Sequence, residues 1–263
     1  MLSYQHGFHA GNRADVLKHA ILDAILTELA ASGKHLLYIE THSGRGRYDL
    51  TSRDAKKTGE ARQGVGAFVK GKIPRALRPW MDLVYAEGKT RYPGSPALAA
   101  HHLPDMARMI LFEKHPAEYA ALTEAMGNDK RIQIKRTDGY SAALKLAPRR
   151  SETLCIFVDP SYETEHDMDA LAAWAPRALK RWPHAVIILW LPLFKDEREA
   201  DFGAYLASLE DGVVAGARWP VSANDESALE GSAMVAYRAP EAAQQKATAI
   251  ASTLQSFWSG QAS

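Results

Sequence analysis

The chain of 263 residues has one cysteine, Cys155, so no disulfide can form within it and a reducing, cytoplasmic setting is expected. It has no run of ~18 uncharged apolar residues, which argues against a membrane-spanning helix. The opening residues Met1-Leu2-Ser3-Tyr4-Gln5-His6 lack the basic-then-apolar layout of a secretory signal. Its 10 histidines show none of the paired spacings of a zinc site, so no metal is expected. There is no internal repeat or low-complexity tract, and the absence of heptads with a modest net charge points to a monomer. That net charge is only +1, too little for a uniformly basic nucleic-acid binder.

The charge is unevenly spread. Between Arg45 and Tyr92 there are 12 Lys/Arg and 5 Asp/Glu, an excess of +7 that leaves −6 for the rest of the chain. A solvated helical face explains such a segment; so does a surface that meets a phosphate backbone.

Hydrophobic patterning gives the layout. Asn12 followed by Asp15 resembles a helix cap, and Val16, Leu17, Ala20, Ile21, Ala24, Ile25 and Leu29 share one helical face up to Ser32-Gly33. Leu36–Glu40 reads as the first strand. The basic, Gly- and Pro-punctuated stretch 48–92 reads as a helical lobe inserted after it. Strands and helices then alternate to the end of the chain, and the last two strands, near Val213–Trp219 and Ser232–Arg238, have no helix between them. This predicts a single α/β domain over residues 1–263, a doubly wound, mostly parallel sheet with an antiparallel edge hairpin.

Four successive strands end on polar clusters: Glu40-Thr41-His42 with Gly44-Arg45-Gly46, then Glu113, Asp138-Gly139 and Asp159. In open α/β sheets ligands gather at that end. Gly44-x-Gly46 lacks the third glycine of a dinucleotide fingerprint, and no Gly-Lys-Ser/Thr phosphate loop follows. A glycine turn with acids on further strands fits a nucleoside without phosphates, such as S-adenosylmethionine. Glu113 can accept the ribose hydroxyls and Asp138 the adenine amine. The strand Thr153–Val158 runs into Asp159-Pro160-Ser161-Tyr162. A carboxylate, a fixed carbonyl and an aromatic plane suit a nucleobase held by its amine, although Asp-Pro also starts ordinary turns.

With this tetrapeptide the chain resembles the class I N6-adenine methyltransferases, and more narrowly the RlmJ family of 23S rRNA adenine-N6 methyltransferases. The stretches that carry the resemblance are Met1–Asn12 with Asp15–His19, Thr41–Tyr48, Tyr92–Pro96, Glu113-x-His115-Pro116, Asp138-Gly139 and Asp159–Glu163. One departure is Ser161, where the motif has a second proline. The resemblance implies a Rossmann-like sheet and methylation of an unstacked adenine of 23S rRNA with S-adenosylmethionine. It implies that Lys18, His19, His42, Gly44, Gly46, Ser95, Glu113, Asp138, Gly139 and Asp159 line the donor pocket, Lys18 and His19 offering a cationic end to the methionine carboxylate. Asp159 and the Pro160 carbonyl then hold the target amine, while Tyr162 and Tyr4 stack on the base. Lys56, Lys57, Arg62, Lys70 and Lys72 of the inserted lobe become the RNA contacts. DNA adenine and protein glutamine methyltransferases share the tetrapeptide logic, and a non-catalytic RNA-binding module is the alternative outside enzymes.

Overall fold

The computed structural model describes residues 7, 9–69, 72–162, 165–221 and 229–260. Helix α1 (Arg13–Ala31) precedes strand β1 (His35–Glu40). Asn12 caps α1 by accepting the Asp15 N–H at 2.9 Å, which satisfies one of the amides a helix start leaves unpaired. After β1 the chain leaves the main sheet. Strands β2 (Arg47–Asp49) and β3 (Arg91–Pro93) pair antiparallel, Tyr48 opposite Tyr92. Between them lie helices α2 (Arg53–Thr58), α3 (Val65–Val69) and α4 (Arg78–Ala86), with tight 3-10 turns at Glu60–Arg62 and Arg75–Leu77. The insertion is therefore not wholly helical, as the sequence reading had it; a two-stranded base ties its ends together.

The alternation then runs α5 (Ser95–His102), β4 (Arg108–Phe112), α6 (Pro116–Met126), β5 (Ile132–Lys135), α7 (Gly139–Leu144) and β6 (Glu152–Val158). It continues with α8 (Glu165–Arg181), β7 (Val186–Phe194), α9 (Ala200–Ser208), β8 (Gly212–Arg218), β9 (Leu229–Tyr237) and α10 (Glu241–Ser259). Seven strands form one sheet in the order β5-β4-β1-β6-β7-β9-β8. The first five in that order are parallel, and β9 runs antiparallel to both β7 and β8. The expected antiparallel hairpin is there, with the last strand inside it: β9 slots between β7 and the edge strand β8. The winding reverses between β1 and β6, which opens a crevice above their carboxyl ends.

Helices cover both faces, so the central strands are apolar throughout rather than alternating. Leu36 and Tyr38 of β1, Cys155 and Phe157 of β6, and Val186, Ile188 and Trp190 of β7 pack with α1, α5 and α10. Leu37, Ile39, Leu154, Ile156 and Val158 pack against α7, α8 and α9. Because side chains alternate with period two, Asp159 continues the Cys155–Phe157 row and turns toward α1. Among the described residues no helix is long and apolar enough to cross a membrane, and no cluster of His, Cys, Asp or Glu could hold a metal ion.

Candidate active site

A cavity of about 1,210 Å³ opens over the carboxyl ends of the central strands. Asp159 lines it. The Lys18 Nζ, carried on the face of α1 that covers this row, lies 2.7 Å from Asp159 Oδ2 and 3.0 Å from Asp15 Oδ1. Asp15 is fully buried and also accepts the Gly11 N–H at 2.8 Å. Burial opposes the lysine's charge, but the two carboxylates outweigh it and hold Lys18 above its ordinary value. The ammonium also sits 5.0 Å from the centroid of the Trp190 ring. Lys18, expected beside a methionine carboxylate, thus has the site's own carboxylates as its partners.

Pro160 and Tyr162 line the cavity beside Asp159. Tyr162 has a left-handed backbone, φ 51°, which a bulky residue keeps only where its surroundings fix it. Its hydroxyl donates to the Trp190 carbonyl at 2.6 Å, and its ring stands 5.4 Å from that of Trp190. The ring is therefore an anchored plane.

The other end of the cavity surrounds the turn after β1. Glu113, at the end of β4, accepts the Gly44 N–H at 2.9 Å and the His115 N–H at 2.7 Å. Burial still pushes its carboxyl up. Asp138 caps α7 by accepting the Ser141 N–H at 2.9 Å. Although burial opposes its charge, Ser141 keeps its carboxyl below the ordinary value. A side chain on Gly139 would bring a Cβ to 2.0 Å from the Thr41 carbonyl oxygen, so only glycine lets α7 start this close to β1. His42 is half-buried, edge-on to the Tyr140 ring at 4.9 Å, and burial pushes it down to about 4, so it is neutral at pH 7. The Ser95 hydroxyl, at the start of α5, donates to Glu40 Oε2 at 3.3 Å, and Tyr38 donates to Glu40 Oε1 at 2.5 Å. Two polar atoms on this wall, Ser43 Oγ and Tyr140 Oη, are buried with no hydrogen-bond partner among the described residues. Unmatched groups of this kind fit a wall that a polar ligand completes.

His19 lines the same cavity, its Nδ1 2.7 Å from the Tyr92 hydroxyl. Gly46 does not line it: its φ of 74° makes the turn, and a Cβ there would meet Met126 and Leu122 of α6 at 2.9 and 3.0 Å. Lys56, Lys57, Arg62 and Lys72 are exposed on the inserted lobe. Tyr4 and Lys70 lie outside the described residues.

Sequence reasoning missed several members of the site. Glu60 of the lobe reaches the cavity wall, held by His9 Nδ1 at 2.9 Å and Asn12 Nδ2 at 3.0 Å. Asp15, read only as part of a cap, is the second partner of Lys18. Trp190 carried one available signal, since it falls on the α1-facing row of β7 just where that strand passes Asp159.

A family model described as "Ribosomal RNA large subunit methyltransferase D, RlmJ" matches residues 33–261. The matched range starts after α1, so Asp15 and Lys18 lie ahead of it. The chain is 36% identical over 199 residues to a Haemophilus influenzae protein named Ribosomal RNA large subunit methyltransferase J, covering 73% of this chain and 71% of that one. It is 35% identical over 198 residues to the Escherichia coli K12 protein of the same name, again covering 73% and 71%. The crystal structure of a Legionella pneumophila protein superposes with a TM-score of 0.85 at 26% identity, covering 95% of this chain and 94% of that one.

Proposed function

The chain belongs to the RlmJ family of ribosomal RNA large subunit methyltransferases, and from that premise we propose that it methylates N6 of an adenine in large-subunit ribosomal RNA, with S-adenosylmethionine as donor. The donor supplies an electrophilic sulfonium methyl. Glu113 and Asp138 face the same hollow and can accept from ribose hydroxyls and the adenine amine, and neutral His42 adds no charge against the cationic donor. Ser43 Oγ and Tyr140 Oη have hydrogen-bonding capacity to spare there.

Adenine's amine is a poor nucleophile because its lone pair is delocalised into the ring. The Asp159 carboxylate and the Pro160 carbonyl accept its two N–H bonds, favour a pyramidal nitrogen and stabilise the positive charge that develops on it. Lys18 keeps Asp159 ionised and oriented without touching the base. Tyr162 gives a plane under the purine, and the exposed cations of the lobe take the RNA backbone. The observation that carries the reading is the part-buried Lys18–Asp159 pair at 2.7 Å, in one cavity with the glycine turn after β1.

The test is methyl transfer to large-subunit rRNA fragments, to DNA and to peptides, with nucleosides identified by mass spectrometry. N6-methyladenosine in the rRNA, lost at least about 100-fold in the isosteric Asp159→Asn variant, is expected. Modification of another atom or polymer, or full turnover by Asp159→Asn, overturns the proposal.

A further inference from the structure

The cavity does not stop at Asp159. A single small-molecule site usually occupies roughly 300–1,000 Å³, and this one, at about 1,210 Å³, runs on past the carboxylate over the ends of β7, β8 and β9. In β7 the residues Trp190, Pro192 and Phe194 all line this extension. The strand register shifts between Leu193 and Phe194, a bulge of the sort that re-aims a side chain beside a site. Trp219, just after β8, forms the facing wall. Its Nε1 donates to the Leu229 carbonyl at 3.1 Å and its ring stands edge-on to Trp258 at 5.1 Å, so it is fixed. Arg13 also lines the cavity, its Nη1 donating to the Pro220 carbonyl at 3.4 Å, while the Arg198 guanidinium, paired with Asp196 at 2.9 Å, lies over the Phe194 ring at 3.6 Å.

We infer that this aromatic extension is a second base site, which holds the nucleotide next to the target adenine in the same RNA strand. The inference deepens the proposed function and rests on it. Three observations choose the occupant. The compartment is continuous with the site of Asp159, so whatever fills it is attached to, or adjacent to, the target. Among the described residues its walls carry the side chains of Trp190, Pro192, Phe194 and Trp219, which suit a stacked base. Its wall carries Arg13, which suits the phosphate between the two nucleotides. The Phe194–Arg198 pair gives the base a plane, and Arg13, on the first turn of α1, takes the linking phosphate.

The experiment uses a seven-nucleotide RNA with one central adenosine among uridines, and two versions in which the 5′ or 3′ neighbour of the adenosine is an abasic ribose. Each is titrated into protein saturated with S-adenosylhomocysteine. Loss of one neighbouring base is expected to weaken binding to the native protein about tenfold, in line with the usual worth of one base on an aromatic ring. In Phe194→Leu, which keeps apolar bulk and removes the π face, that penalty shrinks to about twofold. Arg13→Gln weakens intact and abasic RNA alike and reduces the salt slope by about one. Equal binding of intact and abasic RNA by the native protein, or an undiminished tenfold penalty in Phe194→Leu, overturns the inference. Failure of the native protein to bind the intact heptamer at all counts instead against the RNA acceptor itself.

Discussion

Replacing Lys18 by Met separates two roles that one lysine in this cavity can have. The side chain is 3% exposed and lies within 3.0 Å of one carboxylate and 2.7 Å of another. Methionine fills similar space but leaves Asp15 and Asp159 without their cation. Removing one partner of a buried pair costs about 3–5 kcal/mol, because the remaining charge stays desolvated. In a protein of this size each kcal/mol lowers Tm by about 2–4 °C, so a fall of roughly 6–20 °C is expected in a thermal melt. The stabilisation by a lysine whose value is raised on folding is fully present below its unfolded value, ~10.4, and is lost only as pH rises through the folded one. The lysine itself therefore adds no pH dependence between pH 6 and pH 8. Turnover should fall at least about 100-fold, because Asp159 loses both its orientation and the charge that keeps it ionised. Affinity for S-adenosylhomocysteine, read by calorimetry, should stay within about threefold. A lysine serving the methionine carboxylate gives the opposite split, with donor affinity down by tenfold or more and turnover retained at saturation. That split, or a variant that melts within about 2 °C of the native protein, refutes the reasoning.

Gly139→Ala places a methyl 2.0 Å from the Thr41 carbonyl oxygen, and the start of α7 has to move away from β1. Donor affinity should drop by at least about tenfold, and an unchanged calorimetric titration counts against this contact as part of the donor wall. Binding of rRNA fragments should weaken steeply with salt, and reversal of Lys56, Lys57 and Arg62 to Glu should flatten that slope; salt-insensitive binding makes the lobe a solvated scaffold. Glu40 is pushed up to about 8, chiefly by burial. Between its unfolded value, ~4.3, and pH 8 the folded state holds the extra proton, so stability falls as pH rises, by at most about 1.4 kcal/mol per unit. Melting curves of Glu40→Gln should lose that part of the fall.

Much of this fold is legible because it rests on local chemistry. The cap at Asn12, the start of α5 at Ser95 and the apolar strands each declare themselves within a few residues. The two-stranded base of the lobe does not, since Arg47–Asp49 and Arg91–Pro93 are too short to show a period and are defined only by each other. The same holds for charge partners. Asp159 and Lys18 are 141 residues apart, and the alternation along β6 fixes which face Asp159 uses but not which helix covers that face. Gly46 has a reason to be glycine that its neighbours in sequence do not reveal, since its backbone conformation and the packing of α6 both require it. Trp190 escaped notice because a tryptophan inside an apolar strand has the signature of core, and only its place in the row past Asp159 makes it a wall.

The charges around Asp159 explain why the site needs both a lysine and a second, neutral acid. Asp15 and Asp159 pair with Lys18, and Glu40 lies near enough to feel the charges of both Asp159 and Lys18, so that three negative charges against one positive would repel strongly. Burial and the charge of Asp159 keep the proton on Glu40 until pH is about 8, although the hydrogen bonds from Tyr38 and Ser95 act the other way. At pH 7 the group therefore carries two negative charges and one positive, a net of −1. In the proposed reaction a single net negative charge is what a sulfonium donor and an amine gaining positive charge can share without a further counterion. Above pH 8 ionisation of Glu40 makes the net −2 and pulls Lys18 toward three carboxylates, so its hold on Asp159 weakens. Turnover should then decline as pH passes about 8 in the native protein and persist to higher pH in Glu40→Gln. A native profile flat to pH 9.5 refutes this coupling between the end of β1 and the reacting carboxylate.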